Sequence, residues 1–471
     1  MQLVAYGASD VYLTGDPKVT FFQSAYKRHT NFAMETVQQT VSGNAGPGGL
    51  VSVTMARSGD LIGDMFVVLQ PNSSSSGQLT SNNSVADMNW VAERAFSSVE
   101  LFIGGQSIDK HYQLWFRLYA EVFLNETKKM NYGKMASIAT PINTGTSIAY
   151  AYLPLIFFFN RNPGLYLPLI ALQYHEVRID FTLSAQYANY FGTNPFAVWA
   201  NYVYLDTVER DKFAKTPHEY LIEQVQYINP DPVGYANENT PSVIRMQYNH
   251  PVKELIWCYQ NNSIGTNPNA LWNFSSSVAN VNVTVDLNKI AQTSGIQIPN
   301  WTGAPVLYTP PLLSSNLYVV RASDISAGGN VAVQSNVLSG NVFWSEGGVP
   351  SYGVSANNIY GQEVGPLHQA KIILNGTDRF VPQFGKYFNQ YQPYQYHCGS
   401  PYPGIYVYSF AIKPEELQPS GTCNFSRIDM AQIAVNLKTG MPYANLQQQM
   451  FAVNYNILRI QSGLGGVAFA N

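Results

Sequence analysis

Apolar and polar residues alternate with a period of two in several parts of the chain, which predicts strands with one buried face. One stretch has apolar residues at alternate positions: Val177, Ile179, Phe181 and Leu183. Further strand signals cover residues 59–70, 96–109 and 368–380. The last two contain the dipeptides Gly104-Gly105 and Asn375-Gly376, which are typical of tight hairpin turns.

Helical periodicity is confined to two short segments, residues 19–30 and 114–130. In the second segment, apolar residues fall near one helix face and two lysines lie near its C-terminal end, as a helix dipole favours. The pattern therefore predicts an all-β protein with little helix.

The most apolar stretch is YLPLIFFFNRNPGLYLPLIALQYHEVRIDF, residues 152–181. A membrane-spanning helix needs about 20 consecutive apolar residues, but Arg161, Pro163, Gly164 and Pro168 interrupt this one. Because prolines break helices, we predict a strand, a proline-rich connection and a second strand, with their apolar sides facing a core.

Two parts of the chain repeat in the same order, which predicts a duplicated β-domain. In the first repeat, Gly105 corresponds to Gly376, and the later pairs are Trp115 with Tyr387, Phe116 with Phe388 and Tyr119 with Tyr391. The apolar stretch repeats at a constant offset, with these pairs: Leu155 with Tyr406, Phe157 with Tyr408, Phe159 with Phe410, Pro163 with Pro414, Pro168 with Pro419 and Val177 with Ile428. We place the join near residue 215, where charge density rises.

A long neutral segment, residues 261–366, contains only six charged residues and is rich in Ser, Asn and Gly. A polar excursion of this length is expected on an exposed outer surface. It contains Asn-x-Ser/Thr sequences at Asn273, Asn282 and Asn300, which are the candidate glycosylation sites.

Charged residues make up 12% of the chain and the net charge is −3. This balance lacks the basic surface that electrostatic binding to nucleic acid requires, so we expect no direct nucleic acid binding. Cys258, Cys398 and Cys423 have no metal-ligand or disulfide-framework spacing, and we interpret them as buried thiols in a reducing compartment. The first residues lack a signal-peptide pattern, which favours a product made and used inside a cell or released without secretion.

Residues 463–468, GLGGVA, match a dinucleotide-binding pattern formally. That pattern requires a preceding strand and a following helix, and only three residues follow here, so we predict a tight turn. Asp60 and Asp64 flank turn glycines, where Asp commonly bonds to the backbone. The seven histidines show no metal-ligand spacing. We therefore predict no catalytic residue, no metal site, no cofactor and no enzyme activity.

Several long motifs resemble one family in the same order along the chain. They are QLVAYGASDVYLTGDPKVTFFQSAYKRHTNFAMETVQQT near the start, then GGQSIDKHYQLWFRLY, PLIFFFNRNPGLYLPLIALQYHEV, LDTVERDKFAKTPHEYLIEQVQ, QPSGTCNFSRID and NYNILRIQSGLGGVAFAN. They are similar to the major capsid proteins of large icosahedral double-stranded DNA viruses, especially those of algae such as Chlorella. Residues 261–366 match this family least.

The resemblance implies a double jelly roll, which is two eight-stranded antiparallel β-sandwiches with short helices and long loops. It implies an N-terminal arm over residues 1–26, one jelly roll over 27–215 and another over 216–471. Three chains would form a homotrimeric, pseudo-hexagonal capsomer that tiles the outer shell of the virion and assembles in the host cytoplasm. Expected partners are neighbouring capsomers, minor capsid and penton proteins and, through the arm, an internal viral membrane.

Two other functions remain open from the residues alone. A jelly roll rich in tyrosine also suits carbohydrate binding or host attachment through its outer loops. An enzyme built on a β-scaffold is disfavoured by the missing site chemistry.

Overall fold

The computed structural model describes most of the chain. The described residues are 6–24, 26–44, 46–70, 90–136, 150–192, 196–228, 230–233, 238–261, 274, 281–286, 330–335, 365–401, 404–438 and 446–469. Of residues 126, 130, 189, 261, 281–286 and 330–335, the backbone alone is described.

Short antiparallel strands dominate both halves of the chain. The strands described in the first half are β1 (Phe32–Gln39), β2 (Val41–Gly43), β3 (Leu50–Thr54), β4 (Leu61–Leu69), β5 (Phe96–Ile103), β6 (Gln106–Tyr112), β7 (Ala151–Pro154), β8 (Leu167–Pro168), β9 (Val177–Leu183) and β10 (Ala197–Leu205). Those in the second half are β11 (His218–Tyr227), β12 (Asp231–Pro232), β13 (Ser242–Arg245), β14 (Pro251–Asn261), β15 (Val281–Asp286), β16 (Asn330–Ser335), β17 (Leu367–Leu374), β18 (Thr377–Asp378), β19 (Gln383–Phe384), β20 (Ile405–Ser409), β21 (Cys423–Asn424), β22 (Ala431–Leu437), β23 (Leu446–Gln461) and β24 (Leu464–Val467).

The two halves share one sheet topology. In the first half, one sheet has the order β1-β10-β4-β7 and the other has β2-β3-β9-β5-β6. In the second half the orders are β11-β23-β14-β20 and β13-β22-β17-β18. Apart from β2 and the short flanking strands, each strand of one half has a counterpart in the other. The fold is therefore all-β and a double jelly roll, as expected.

The helices are short, and all but the first of them lie between strands. They are α1 (Val11–Thr14), α2 (Gln113–Phe123), α3 (Glu126–Ala136), α4 (Phe158–Arg161), α5 (Tyr187–Phe191), α6 (Thr207–Lys215) and α7 (Gln392–Tyr396). Three single 3₁₀ turns (Val91–Arg94, Pro163–Leu165 and Phe425–Arg427) and one π-helical turn (Tyr387–Tyr391) complete the set in the described parts. The predicted helix over residues 114–130 is confirmed, although Leu124 and Asn125 divide it in two.

The predicted helix over residues 19–30 is wrong. The described residues of that segment are irregular, and Phe21 and Phe22 are almost fully exposed. An isolated short helix is only marginally stable, and its apolar face needs a core to pack on. In the single chain, this segment has no such core.

The apolar stretch at residues 152–181 fills the core, as predicted, but partly with helix. After β7, the three phenylalanines Phe157, Phe158 and Phe159 lead into α4, and each is at most 1% exposed. The strand predicted for them is therefore wrong, while β9 confirms the strand after the prolines. No helix in the described parts of the chain is long and apolar enough to span a bilayer.

The repeats are confirmed in outline but not in register. The turns at Gly105 and Gly376 both adopt positive φ and both close the corresponding hairpins β5–β6 and β17–β18. The constant offset of the second repeat is wrong, since β9 corresponds to β22 and Val177 therefore to Ala431 rather than Ile428. The connections that precede these strands differ in length between the halves, which shifts the alignment.

Candidate assembly interface

The two halves of the chain meet where β11 packs against β6. Strand β11 lies at the edge of its sheet, so one row of its backbone groups is left unpaired by strands. There the Val225 N–H donates to Asp109 Oδ1 at 3.0 Å. The Gln224 side-chain amide donates to the Ile108 carbonyl. Strand β6 of the first half thus bonds to the edge strand of the second, and its Asp109 side chain satisfies one of the unpaired backbone groups.

Aromatic rings fill the centre of this junction. The ring centroids of Tyr112 and Tyr227 are 4.6 Å apart, and Tyr227 stacks on Phe451 at 4.7 Å. Trp115, at the start of α2, lies 5.5 Å from Phe451. One hydrophobic cluster runs from the first half across the junction into Ile222 and Phe451. The junction therefore has an apolar, aromatic centre, as the cores of obligate interfaces do.

Beside the aromatic rings lies a row of three charges, of which Glu223 and Lys253 are largely buried and Arg161 is partly exposed. Arg161 Nη1 lies 3.0 Å from Glu223 Oε2, and Lys253 Nζ lies 2.6 Å from Glu223 Oε1. Burial alone would raise the pKa of Glu223, but the Lys253 and Arg161 cations outweigh it and hold that pKa below its usual value. Because Arg161 belongs to the first half and Glu223 to the second, the pair connects the two jelly rolls.

His397 forms a second charged contact. Its Nε2 lies 3.1 Å from Glu254 Oε2, and its Nδ1 lies 3.3 Å from Glu415 Oε1. Burial would lower the pKa of His397, but the two carboxylates outweigh it, chiefly Glu254, and raise the pKa to about 9. The edge of the imidazole ring meets Phe123 at 5.4 Å, so this histidine is also packed against the end of α2.

Residues 398–400, directly after His397, form three hydrogen bonds with the first half. Gly399 N–H donates to the Val122 carbonyl at 3.2 Å, and the Cys398 thiol lies 3.1 Å from the Phe123 carbonyl. Lys129 donates to the Ser400 carbonyl at 2.9 Å. The contacts of Gly399 and Cys398 satisfy carbonyl groups at the C-terminal end of α2, which a helix leaves unpaired.

Lys129 also belongs to a buried ionic cluster within the first half. Its Nζ lies 2.6 Å from Glu121, which in turn lies 2.8 Å from Arg117. Arg117 reaches Glu93 at 3.4 Å, and burial raises the pKa of Glu93 to about 7. All four side chains are at most 7% exposed. This enclosed cluster ties α2 and α3 to the 3₁₀ turn before β5.

The N-terminal segment exposes many large apolar side chains. Their exposed fractions run from 63% to 100%: Tyr6, Val11, Tyr12, Leu13, Val19, Phe21, Phe22 and Tyr26. So many exposed large apolar side chains in one short segment are unusual on a soluble monomer, and exposed apolar surface of this kind marks an interaction site.

Residues considered for catalysis have structural roles. Asp60 is buried and accepts hydrogen bonds from the Leu205 backbone at 2.8 Å and from Arg210 at 3.0 Å. Asp64 lies further along, exposed on β4. The tight turn predicted over residues 463–468 is confirmed for Gly463 alone: Ser462 and Gly463 turn the chain between β23 and β24, and residues 464–467 are the strand β24 itself. Among the residues that the structure describes, no cluster of His, Cys, Asp and Glu could hold a metal ion.

The remaining sequence predictions have mixed outcomes. The three cysteines are free, but only Cys258 is fully buried, and Cys398 is exposed, so the interpretation of all three as buried thiols is wrong. Asn273 and Asn300 lie outside the described residues. Asn282 lies in β15, where the backbone alone is described. The three glycosylation candidates therefore stay predictions.

Sequence reasoning missed the buried charges. Arg161, Lys253 and Glu254 each stand inside an apolar run of a chain that has few charged residues. A charged residue inside an apolar run could have predicted a buried ion pair, because a charged side chain within a core must be paired.

Comparison with known proteins places the fold in one family. Residues 209–466 match the family model described as large eukaryotic DNA virus major capsid protein, and residues 20–206 match the major capsid protein N-terminus. The chain is 39% identical to the major capsid protein of Paramecium bursaria Chlorella virus 1, over 100% of this chain and 99% of that protein. It is 36% identical, with the same coverage, to the major capsid protein of Phaeocystis pouchetii virus.

A solved structure agrees with these matches. The chain superposes on the protein in a quasi-atomic model of the PBCV-1 virus capsid with a TM-score of 0.68 and 34% identity, covering 96% of this chain and 100% of that one. Both sandwiches and nearly the whole length are thus shared. The chain belongs to the family of major capsid proteins of large eukaryotic DNA viruses.

Proposed function

We propose that this chain is a structural subunit of a virion's outer shell, and that three copies form a pseudo-hexagonal capsomer that tiles an icosahedral surface. The observation that carries the proposal is the match to major capsid proteins along the full length of both chains. The protein acts by assembly and not by catalysis.

The internal duplication supports the trimer. Each chain supplies two sandwiches of the same strand order, so three chains supply six similar units, enough for a ring with nearly sixfold shape. Closed symmetry repeats each contact around the ring, and modest contacts then suffice. The jelly rolls are proposed to cover residues 27–215 and 216–471, with α6 at the join.

The N-terminal arm, residues 1–26, is proposed to lie on the inner side of the capsomer. Its exposed apolar side chains suit contacts with neighbouring capsomers, with minor capsid and penton proteins, or with an internal viral membrane. The segment 261–366 is proposed to face outward, and glycans at Asn273, Asn282 or Asn300 would then decorate the outside. Assembly would take place in the host cytoplasm.

The mass of the purified protein tests the proposal. Native mass spectrometry should give a particle of three chains, each of 52.2 kDa, and electron microscopy at high concentration should show hexagonal arrays. A protein that stays monomeric and binds glycans on an array would overturn the shell function and favour a carbohydrate-binding jelly roll.

Deletion of residues 1–26 tests the arm separately. The trimer should survive, because the arm contributes no buried side chain to either sandwich in the described residues 6–24 and 26, while shell closure should fail. Loss of the trimer itself would show that the arm is misplaced in this proposal.

A further inference from the structure

The edge of the first jelly roll has the same design as the edge that forms the junction within the chain. Strand β1 corresponds to β11 in the sheet order, and their sequences AMETVQ (33–38) and LIEQVQ (221–226) share Glu, Val and Gln at matching positions. The register agrees, since Glu35 stands opposite Tyr202 and Glu223 opposite Tyr455. Glu35 is thus the counterpart of Glu223.

The two edge strands, β11 and β1, differ in how far their apolar side chains are buried. Ile222 on β11 is 0% exposed at the junction, whereas its counterpart Met34 on β1 is 51% exposed. Phe32 at the start of β1 is 50% exposed. Strand β1 therefore presents, at an open sheet edge, apolar side chains of the kind that β11 buries.

The helical segments of the two halves also differ in exposure, and here the second half has the more exposed ring. Phe116 and Phe388, which correspond in the repeat, are both buried within their own sandwich. Trp115 is only 2% exposed and lies against Phe451, but its counterpart Tyr387 is partly exposed and stacks on Tyr391 at 5.4 Å.

We call Tyr387, Tyr391 and Tyr394 the tyrosine ridge. Tyr391 is 52% exposed and Tyr394 is 83% exposed. With Lys386 and Gln390, the ridge lines a shallow open cavity of about 470 Å³. Lys386 gives this surface a positive charge, and Glu35 gives β1 a negative one.

We propose that β1 of one copy docks on the tyrosine ridge of a second copy, and so repeats between chains the junction within one chain, where β11 and its neighbour β23 meet β6 and the start of α2. The occupant is a second copy because this chain carries both halves of the contact, each exposed. The inference rests on the trimer of the proposed function and assigns its contact surfaces.

The contact joins two different surfaces, head to tail. Such a heterologous contact closes into a ring only when its rotation divides a full turn. If the contact between chains has the same geometry as the junction within each chain, these two kinds of contact alternate around the ring. Three copies, each with two jelly rolls, then close the ring. Tyrosine rings are well suited to this contact, since they are enriched at the energetic centres of interfaces.

Single substitutions on each surface test the docking. Met34→Glu on β1 and Tyr394→Glu on the ridge should each shift the trimer to monomers in native mass spectrometry, with a rise in the dissociation constant of about tenfold or more. Val208→Glu changes an apolar residue that is 80% exposed on α6, and it should leave the trimer intact. Circular dichroism checks that each variant is folded, and Tyr394→Ser, which adds no charge, should weaken the trimer in the same direction.

Mixing the two charged variants tests the head-to-tail arrangement. The Met34→Glu copy keeps its ridge and the Tyr394→Glu copy keeps its β1, so an equimolar mixture should form mixed dimers and no trimer. A wild-type trimer that both folded variants leave unchanged would overturn the docking while the proposed function stands. A wild-type protein that is monomeric at every concentration would overturn both.

Discussion

Raising the pH from 6.5 to 9 should destabilise the protein through His397. This side chain is 0% exposed and lies between the carboxylates of Glu254 and Glu415. The pKa of His397 is about 9 in the folded chain, against an ordinary value of 6.5. Because the folded-state pKa is the higher one, the stabilisation is complete below pH 6.5 and is lost as the pH rises through 9.

The size of the effect follows from the two pKa values. They differ by about 2.5 units, and each unit corresponds to about 1.36 kcal/mol, so about 3 kcal/mol of unfolding free energy should be lost. With an unfolding entropy of about 2.1 cal/mol/K per residue, a unit of 471 residues loses about 3 °C in Tm. The loss in Tm doubles if one jelly roll unfolds alone.

Thermal unfolding measured from pH 6 to pH 10 tests this expectation. His397→Gln should flatten the part of the profile between pH 6.5 and 9, because glutamine does not titrate. His29→Gln replaces an exposed histidine and should retain the wild-type profile. Cysteine and tyrosine side chains titrate in all three proteins, so the difference between profiles isolates His397. Parallel profiles for wild type and His397→Gln would refute the reasoning.

Three further substitutions test the core, the buried charges and the hairpins by chemical denaturation. Phe157→Ala should cost about 3–5 kcal/mol, since it leaves a cavity where a ring is 0% exposed; a cost below 1 kcal/mol would contradict that packing. Lys253→Met should cost about 3 kcal/mol by leaving Glu223 with Arg161 alone, and adding Glu223→Gln should restore part of the loss; no recovery would argue against the pair. Gly105→Ala should cost about 1 kcal/mol, because its φ is +82° and a Cβ there meets nothing within 4 Å; an unchanged stability would mean that the turn relaxes.

Much of the fold follows from local sequence patterns. The alternation at Val177 and Ile179 predicts β9, and the turn dipeptide at Gly105 predicts the β5–β6 hairpin, since both signals depend on neighbouring residues only. The capsid family was also evident from long motifs. Strand pairing between β1 and β10, which are far apart in sequence, could not be read from either strand alone.

The candidate interface was harder to predict, because its residues come from distant parts of the chain. Arg161 and Glu223 stand on different jelly rolls, and their pairing depends on how the two sandwiches dock. The tyrosine ridge was visible as a repeat of the Trp115 region, but its exposure was not. Whether a ring is covered depends on what packs against it in space.

The sequence by itself determined the class of the protein: strands from period-two alternation, a duplicated unit from the repeated hairpin motif, and core burial of residues 152–181 from their apolar content. The tertiary structure decided which secondary structure those core residues adopt and which partners the charged side chains have. Phe157, Phe158 and Phe159 lead into a short helix because β7 ends at Pro154 and the chain must turn within the core. Lys253 is tolerated inside because the fold brings Glu223 to it, and a buried charge is stable only with such a partner; Arg161, which is partly exposed, pairs with the same carboxylate.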